Sequence, residues 1–294
     1  MIAFTGTRRS FHHKSSLIFE YVRTDIQFHL LAKKDYRVDK HYQPKFQEEY
    51  SAKIPALTLL TSLGWTFLPP KQIMGYRGYK QDEVVLRPVL REALSKRSFM
   101  ASGKTCQLSE KALDNLISQV CSPALNEGLL KANERMYNHL LYGIAVTEFV
   151  DGKKVNPTIA LIDWEHPENN QFHFTEEFTI LRSGGVETRR PDIVCFVNGI
   201  PLAVIEAKSP AGHGKKGPTI DEGISQSIRN QLNDEIPQLF AYSQVLLSIN
   251  GHDGRYGTCH TPMKFWAAWR EEDITYAQMY ALRNHPLSTE QIHA

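Results

Sequence analysis

The spacing of apolar residues changes period several times along the chain, and each change marks an element. From Val84 to Lys96, Ser109 to Cys121 and Asn126 to Leu141, apolar positions recur three and four apart, which predicts amphipathic helices. Residues 41–135 thus read as mainly helical. From Tyr142 to Ala207 short β-rich runs take over. Two of them, Ile193–Val197 and Ile200–Ile205, are apolar throughout and are joined by Asn198-Gly199, a strong hairpin signal. Helical spacing returns with Ile220, Ile224, Ile228 and Leu232 behind a Thr219/Glu222 capping box. Gln244–Asn250, followed by Gly251-His252-Asp253-Gly254, predicts a late hairpin. The expected fold class is α/β, a mixed central sheet flanked by helices, with an additional mainly helical N-terminal part. Residues 1–40 read as an arm and 271–294 as a tail or linker. The domain between them, 41–270, divides into a helical region at 44–141 and a core at 142–260.

Charge sits at the ends of the two apolar runs. Asp192 heads the first, and Glu206-Ala207-Lys208 closes the second. Strand side chains alternate faces, so Glu206 and Lys208 point the same way. A two-residue turn at Asn198-Gly199 pairs Val197 with Ile200 and sets Asp192 against Ile205, leaving the carboxylates on opposite faces. A three-residue loop pairs Val197 with Pro201 and brings Asp192 across from Glu206. The second register is expected, because only it gathers Asp192, Glu206 and Lys208 on one face. Directly paired acids, with Cβ atoms about 5 Å apart, repel unless a cation lies between them. Mg²⁺ suits such a place, since it takes oxygen ligands and keeps several waters. Lys208 would then serve an attacking water or offset charge building on a phosphate. A solvated ion pair on a sheet edge is the plainer reading of Glu-x-Lys. Against it, both residues follow an apolar run where unpaired charge is costly.

Pro-Asp, an apolar strand and Glu-x-Lys form the signature of the PD-(D/E)xK nucleases. The run Arg190–Pro210, RPDIVCFVNGIPLAVIEAKSP, closely resembles one branch of them, the amino-terminal endonuclease region of the R subunit of type I restriction enzymes. Residues 162–170 are similar to the family's strand before the catalytic hairpin, and 138–143 to the helix end leading into the sheet. Ile236–Phe240 and the Gly257-Thr258 segment resemble the stretch after the core.

The resemblance implies that Asp192 and Glu206 bind the metal, with the Ala207 carbonyl as a further ligand and Lys208 beside the attacking water. It implies an active-site contact for Gln226 from a Gln-x-x-x-Tyr motif, although Asn230 stands where the family has tyrosine. Many nucleases of this superfamily also place an early glutamate near the metal, and Glu48 is the candidate. Acids at a helix start equally suit the helix dipole. Pro55, a little further on, either starts a second helix or kinks the first. The implied activity is that of a type I site-specific deoxyribonuclease, a metal-dependent hydrolysis of phosphodiester bonds in double-stranded DNA with Mg²⁺ as cofactor. The implied partners are methyltransferase and specificity subunits. ATP would enter only through a motor domain not in this chain, so the chain is expected to be a fragment of a longer translocating subunit or to end early. A catalytically silent nuclease-like module that docks DNA or subunits is the alternative, and RNA or branched DNA would need the same metal chemistry.

Composition narrows the setting. The 294 residues, 41% hydrophobic, allow one large α/β domain with additions, or two. Four widely spaced cysteines, without Cys-x-x-Cys, indicate neither zinc nor a disulfide framework. No apolar run is long enough to span a bilayer, and a reducing cytoplasm is the simplest home. The net charge of +2 is modest for a protein that grips DNA by many phosphates. Basic residues are nonetheless concentrated: nine Lys/Arg against four acids in residues 1–45, Arg182, Arg189 and Arg190 before the proposed site, and Lys215 and Lys216 in a glycine-rich loop after it. Arg189, Arg190, Lys215 and Lys216 are the candidate DNA contacts. Ala101-Ser102-Gly103-Lys104-Thr105 ends like a phosphate-binding loop, but Ser98 stands where that motif needs glycine, so an ordinary loop is expected.

Overall fold

A computed structural model of the chain describes residues 52–210, 219–251 and 253–268. Among the described residues, seven α-helices surround a seven-stranded mixed sheet. The helices are α1 (Ile54–Ser62), α2 (Pro70–Tyr76), α3 (Arg87–Ser95), α4 (Glu110–Val120), α5 (Leu129–Tyr142), α6 (Ile220–Asn230) and α7 (Pro237–Phe240). The strands of the sheet are β1 (Thr66–Phe67), β2 (Phe172–Glu176), β3 (Ile193–Val197), β4 (Ile200–Ala207), β5 (Val245–Ile249), β6 (Gly254–Gly257) and β7 (Ala267–Ala268). They lie side by side in chain order. β1/β2 and β4/β5 are parallel and the other neighbours antiparallel. A parallel neighbour needs a crossover, and α6 supplies it between β4 and β5, packing on both. Five of the described helices precede β2 and form the helical N-terminal part expected. Their apolar faces join those of the sheet in one continuous core.

Local chemistry explains the boundaries. The Ser109 hydroxyl caps α4, accepting the Ala112 N–H at 3.2 Å. Pro55 lies in the first turn of α1, where its missing N–H costs nothing. α5 stops at Gly143, whose φ of +79° and contact with the Ile159 carbonyl leave no room for a side chain. β3 is buried on both faces, matching its unbroken apolar run. No helix among the described residues is long and apolar enough to cross a membrane.

Four local expectations need correction. The β3–β4 connection is the two-residue turn, with Val197 paired to Ile200 and positive φ at both Asn198 and Gly199. The register then shifts by one residue, for Phe196 pairs with Pro201 but Cys195 with Ala203. The extra residue is Leu202. Proline cannot donate to a ladder and is tolerated beside such a bulge. Beyond it Ile193 pairs with Ile205, which sets Asp192 opposite Glu206 after all. Residues 162–170 are no strand: they form a loop with a 3₁₀ turn at Pro167–Asn169, built around Asp163 and Asn170. The Thr219 side chain makes no capping bond, and the buried face of α6 is Ile220, Gly223, Ile224, Ser227 and Asn230, leaving Leu232 exposed. Small residues on that face let the helix approach the sheet closely. Residues 101–105 lie in the tight hairpin of Ser98–Ala101 with Lys104–Gln107.

Candidate active site

Glu206 is the penultimate residue of β4, wholly buried and opposite Ser248 of β5. Its carboxylate is met by α6, where Gln226 Nε2 donates to Glu206 Oε2 at 2.8 Å. The helix can come so near because Gly223 lies over the strands. A Cβ there would stand 2.2 Å from Ser248 Oγ and 3.4 Å from Glu206 Cβ. Ser248 Oγ in turn donates to the Ile220 carbonyl at 2.7 Å.

Asp192 lies just before β3. Its Oδ2 accepts the Ala207 N–H at 2.8 Å and lies 3.7 Å from Lys208 Nζ. Lys208 is 6% exposed, so its ammonium is held among protein groups rather than free in water. The contacts form two pairs, Gln226 with Glu206 and Lys208 with Asp192, and the ladder register beyond Ile193 and Ile205 sets Asp192 opposite Glu206. Two carboxylates and the neighbouring Ala207 carbonyl are hard oxygen donors of the kind Mg²⁺ prefers. Among the described residues no three His, Cys, Asp or Glu side chains converge, so the remaining positions around such an ion would fall to water or phosphate. Asn230, where the motif would have tyrosine, is buried one turn beyond Gln226, and its carbonyl accepts the Ile236 N–H at 3.1 Å.

The basic candidates differ in placement. Arg190 is largely exposed and pairs with Glu177, whose N–H is bonded to the Asp192 carbonyl at 2.9 Å. Glu177 also pairs with the buried Lys53, which reaches Glu176 at 2.9 Å. Arg189 is engaged by the buried Glu235, with Nε at 2.5 Å and Nη2 at 2.8 Å from its oxygens. The hydrogen bond to that carboxylate raises the Arg189 pKa. Glu48, Lys215 and Lys216 lie outside the described residues. Lys53, Glu177 and Glu235 were missed in the sequence. Each is a charged residue next to an apolar segment with no spacing signal, so only tertiary pairing reveals it.

The far end of the hairpin is secured by the side chain of Asn198, which is fully buried. It donates to the Leu161 carbonyl and to Asn170 Oδ1, both at 2.9 Å, and accepts the Gln171 N–H at 2.8 Å. Asn170 is itself bonded to Arg97 and to the Asp163 backbone. The loop that resembled a strand thus serves as a socket for the turn.

The family model of the type I restriction enzyme R protein N terminus matches residues 45–265. The chain is 30% identical over 227 residues to the type I restriction enzyme HindI endonuclease subunit of Haemophilus influenzae, covering 75% of this chain and 20% of that protein. It is 25% identical over 270 residues to the putative type I restriction enzyme MjaIXP endonuclease subunit of Methanocaldococcus jannaschii, covering 83% of this chain and 24% of that protein. The chain thus spans about a fifth to a quarter of the length of these relatives.

Proposed function

This chain belongs to the family of type I restriction enzyme R protein N termini, and we propose that it is the endonuclease part of such a subunit, hydrolysing phosphodiester bonds in double-stranded DNA. The observation that supports the reading is the placing of two contacts, Asp192 with Lys208 and Glu206 with Gln226, at the adjoining ends of β3 and β4. Asp192, Glu206 and the Ala207 carbonyl would hold Mg²⁺. When bound, the ion supplies Lewis-acid stabilisation of the charge that develops on the phosphoryl oxygens. Gln226 orients Glu206, and the Ala207 N–H orients Asp192. Lys208 carries a positive charge beside the scissile phosphate and orients the attacking water, which it can do from a position shielded from bulk solvent. Arg190, exposed at the rim, exchanges its surface ion pair for a DNA phosphate at little cost.

Methyltransferase and specificity subunits are the proposed partners, the proposed site of action is the cytoplasm, and ATP acts through a motor domain of the full subunit.

The test is Lys208→Ala in the assembled enzyme with Mg²⁺ and ATP. DNA cleavage should be lost while DNA binding persists. An unchanged cleavage rate would favour the docking module, in which the nuclease fold serves assembly alone.

A further inference from the structure

An ionic clamp on the edge of the site ties together the two segments that carry its parts. The first segment is the short hairpin of Ile180–Leu181 with Thr188–Arg189, which runs through Arg190 and Pro191 into Asp192. The second is the turn 231–236 directly after α6, the helix that carries Gln226. Glu235 lies between them, only 5% exposed. It takes Arg189 at two points, 2.5 and 2.8 Å, and Arg182 Nε at 3.4 Å. Its carbonyl accepts the Ser183 N–H at 2.8 Å. Arg182 also donates to the Asp234 carbonyl at 3.0 Å and pairs with its carboxylate at 3.1 Å. From the other side Gln238 donates to the Leu181 carbonyl at 2.7 Å.

We propose that Glu235 is a positioning residue for the cleavage centre, holding the Asp192 arm at a fixed separation from the helix that orients Glu206. Two features separate this from an ordinary surface ion pair. The carboxylate is buried, and losing it leaves Arg189 without its ion-pair partner, whereas Arg182 keeps Asp234 and Glu187. The partner Arg189 lies three residues before one proposed metal ligand, Asp192, while Glu235's own segment follows the helix whose Gln226 is bonded to the other, Glu206. A metal site of only two side-chain carboxylates is sensitive to their separation, because displacement of either leaves the ion with water alone on that side. Arg189 therefore acts through Asp192 rather than on DNA.

The inference rests on the reading of Asp192 and Glu206 as metal ligands, and the experiment separates the two. Mn²⁺ is titrated by electron paramagnetic resonance into the full chain, comparing wild type, Asp192→Asn, Glu235→Gln and Arg189→Gln, with thermal unfolding followed in parallel. Asp192→Asn should abolish specific Mn²⁺ binding. If it does not, the metal-site reading itself fails. Given that loss, Glu235→Gln should weaken Mn²⁺ about fivefold or more, and Arg189→Gln in the same direction. The Glu235→Gln/Arg189→Gln pair should be no worse than the poorer single variant, because both break one linkage. Glu235→Asp, which keeps the charge, should recover part of the loss. Unchanged Mn²⁺ affinity in a folded Glu235→Gln protein overturns the clamp. So does a loss of affinity that Glu235→Asp fails to relieve although its unfolding temperature matches the wild type.

Discussion

The carboxylate of Asp192 accepts the main-chain N–H of Ala207 at 2.8 Å, so one proposed ligand is aimed by the backbone next to another. The β3–β4 ladder would otherwise continue past Ile193 and Ile205. Here the side chain of Asp192 takes the next donor, while the Pro191 carbonyl turns to the Phe178 N–H at 3.1 Å. The strand pair ends where the proposed site begins.

That contact gives Asp192 two separable roles. Asp192→Asn keeps an oxygen that can accept from Ala207 and should fold with near-native stability, yet lose metal binding and cleavage. Asp192→Ala should show the same functional loss and in addition unfold more easily by about 1–3 kcal/mol, the cost of a buried N–H left without its acceptor. Urea unfolding of the two variants measures the difference. Equal stabilities would mean that the Ala207 contact contributes nothing to the fold.

Gln226 has a supporting part. Its amide holds one oxygen of Glu206, and a hydrogen bond to a charged group contributes about 1.5–3 kcal/mol. Gln226→Ala should raise the Mg²⁺ concentration needed for half-maximal cleavage about tenfold or more while leaving residual activity at saturating metal. Gln226→Glu should be worse, since it sets a second negative charge against Glu206. A Gln226→Ala enzyme with the native Mg²⁺ dependence would show that Glu206 needs no help from α6.

Much of this was legible in the chain, and the failures have identifiable causes. The apolar runs around Asn198-Gly199 give the hairpin, and their flanking charges give the candidate site, because burial and pleat alternation follow directly from residue type. The turn length was not legible. Whether the one-residue offset sits in the turn or at a bulge depends on Pro201 and on the packing of Gly199, where a Cβ would lie 2.6 Å from the Leu86 carbonyl. Both routes set Asp192 opposite Glu206, so the site survives the error. The apolar stripe of α6 misled for a related reason. Gly223 and Ser227 carry no hydrophobic signal, yet they share the buried face with Ile220, Ile224 and Asn230. Segment 162–170 is polar and turn-rich, and its role as a socket for Asn198 depends on contacts remote in sequence.

Two histidines predict a pH response of the fold. Burial lowers the pKa of His173, against a weaker raising effect of Glu92, and burial with the Arg135 charge lowers that of His139. A base whose folded pKa lies below its ordinary value of 6.5 is stabilising while neutral, and that contribution is lost as pH falls through the folded value. Unfolding midpoints in urea should therefore decline from pH 7 toward pH 5. His173→Gln should flatten the decline, and His139→Gln should flatten it further. Asp163 acts in a lower window. Burial would raise its carboxyl, but hydrogen bonds from Asn169 and the His166 N–H, with the Arg97 charge, hold it below the ordinary 3.8. Its loss therefore begins only below about pH 4. A decline between pH 7 and 5 that survives both histidine replacements would disprove the assignment.

The approach of α6 to β4 and β5 is set by the absence of a side chain at Gly223, and this links packing to chemistry in one substitution. A methyl group there would stand 2.2 Å from Ser248 Oγ, so either the serine rotates away from the Ile220 carbonyl or the helix lifts. Overpacking of this kind costs about 1–3 kcal/mol. Lifting the helix would also draw Gln226 off Glu206, so Gly223→Ala should lose cleavage beyond what its stability alone explains. Removing the hydroxyl with Ser248→Ala leaves the nearest atom at 3.2 Å, a separation that small adjustments accommodate. The double variant Gly223→Ala/Ser248→Ala should therefore be more stable and more active than Gly223→Ala alone, a non-additivity measurable by urea unfolding and by the rate of DNA cleavage. Strict additivity of the two changes would place the helix too far from the strand for Gly223 to govern the position of Gln226.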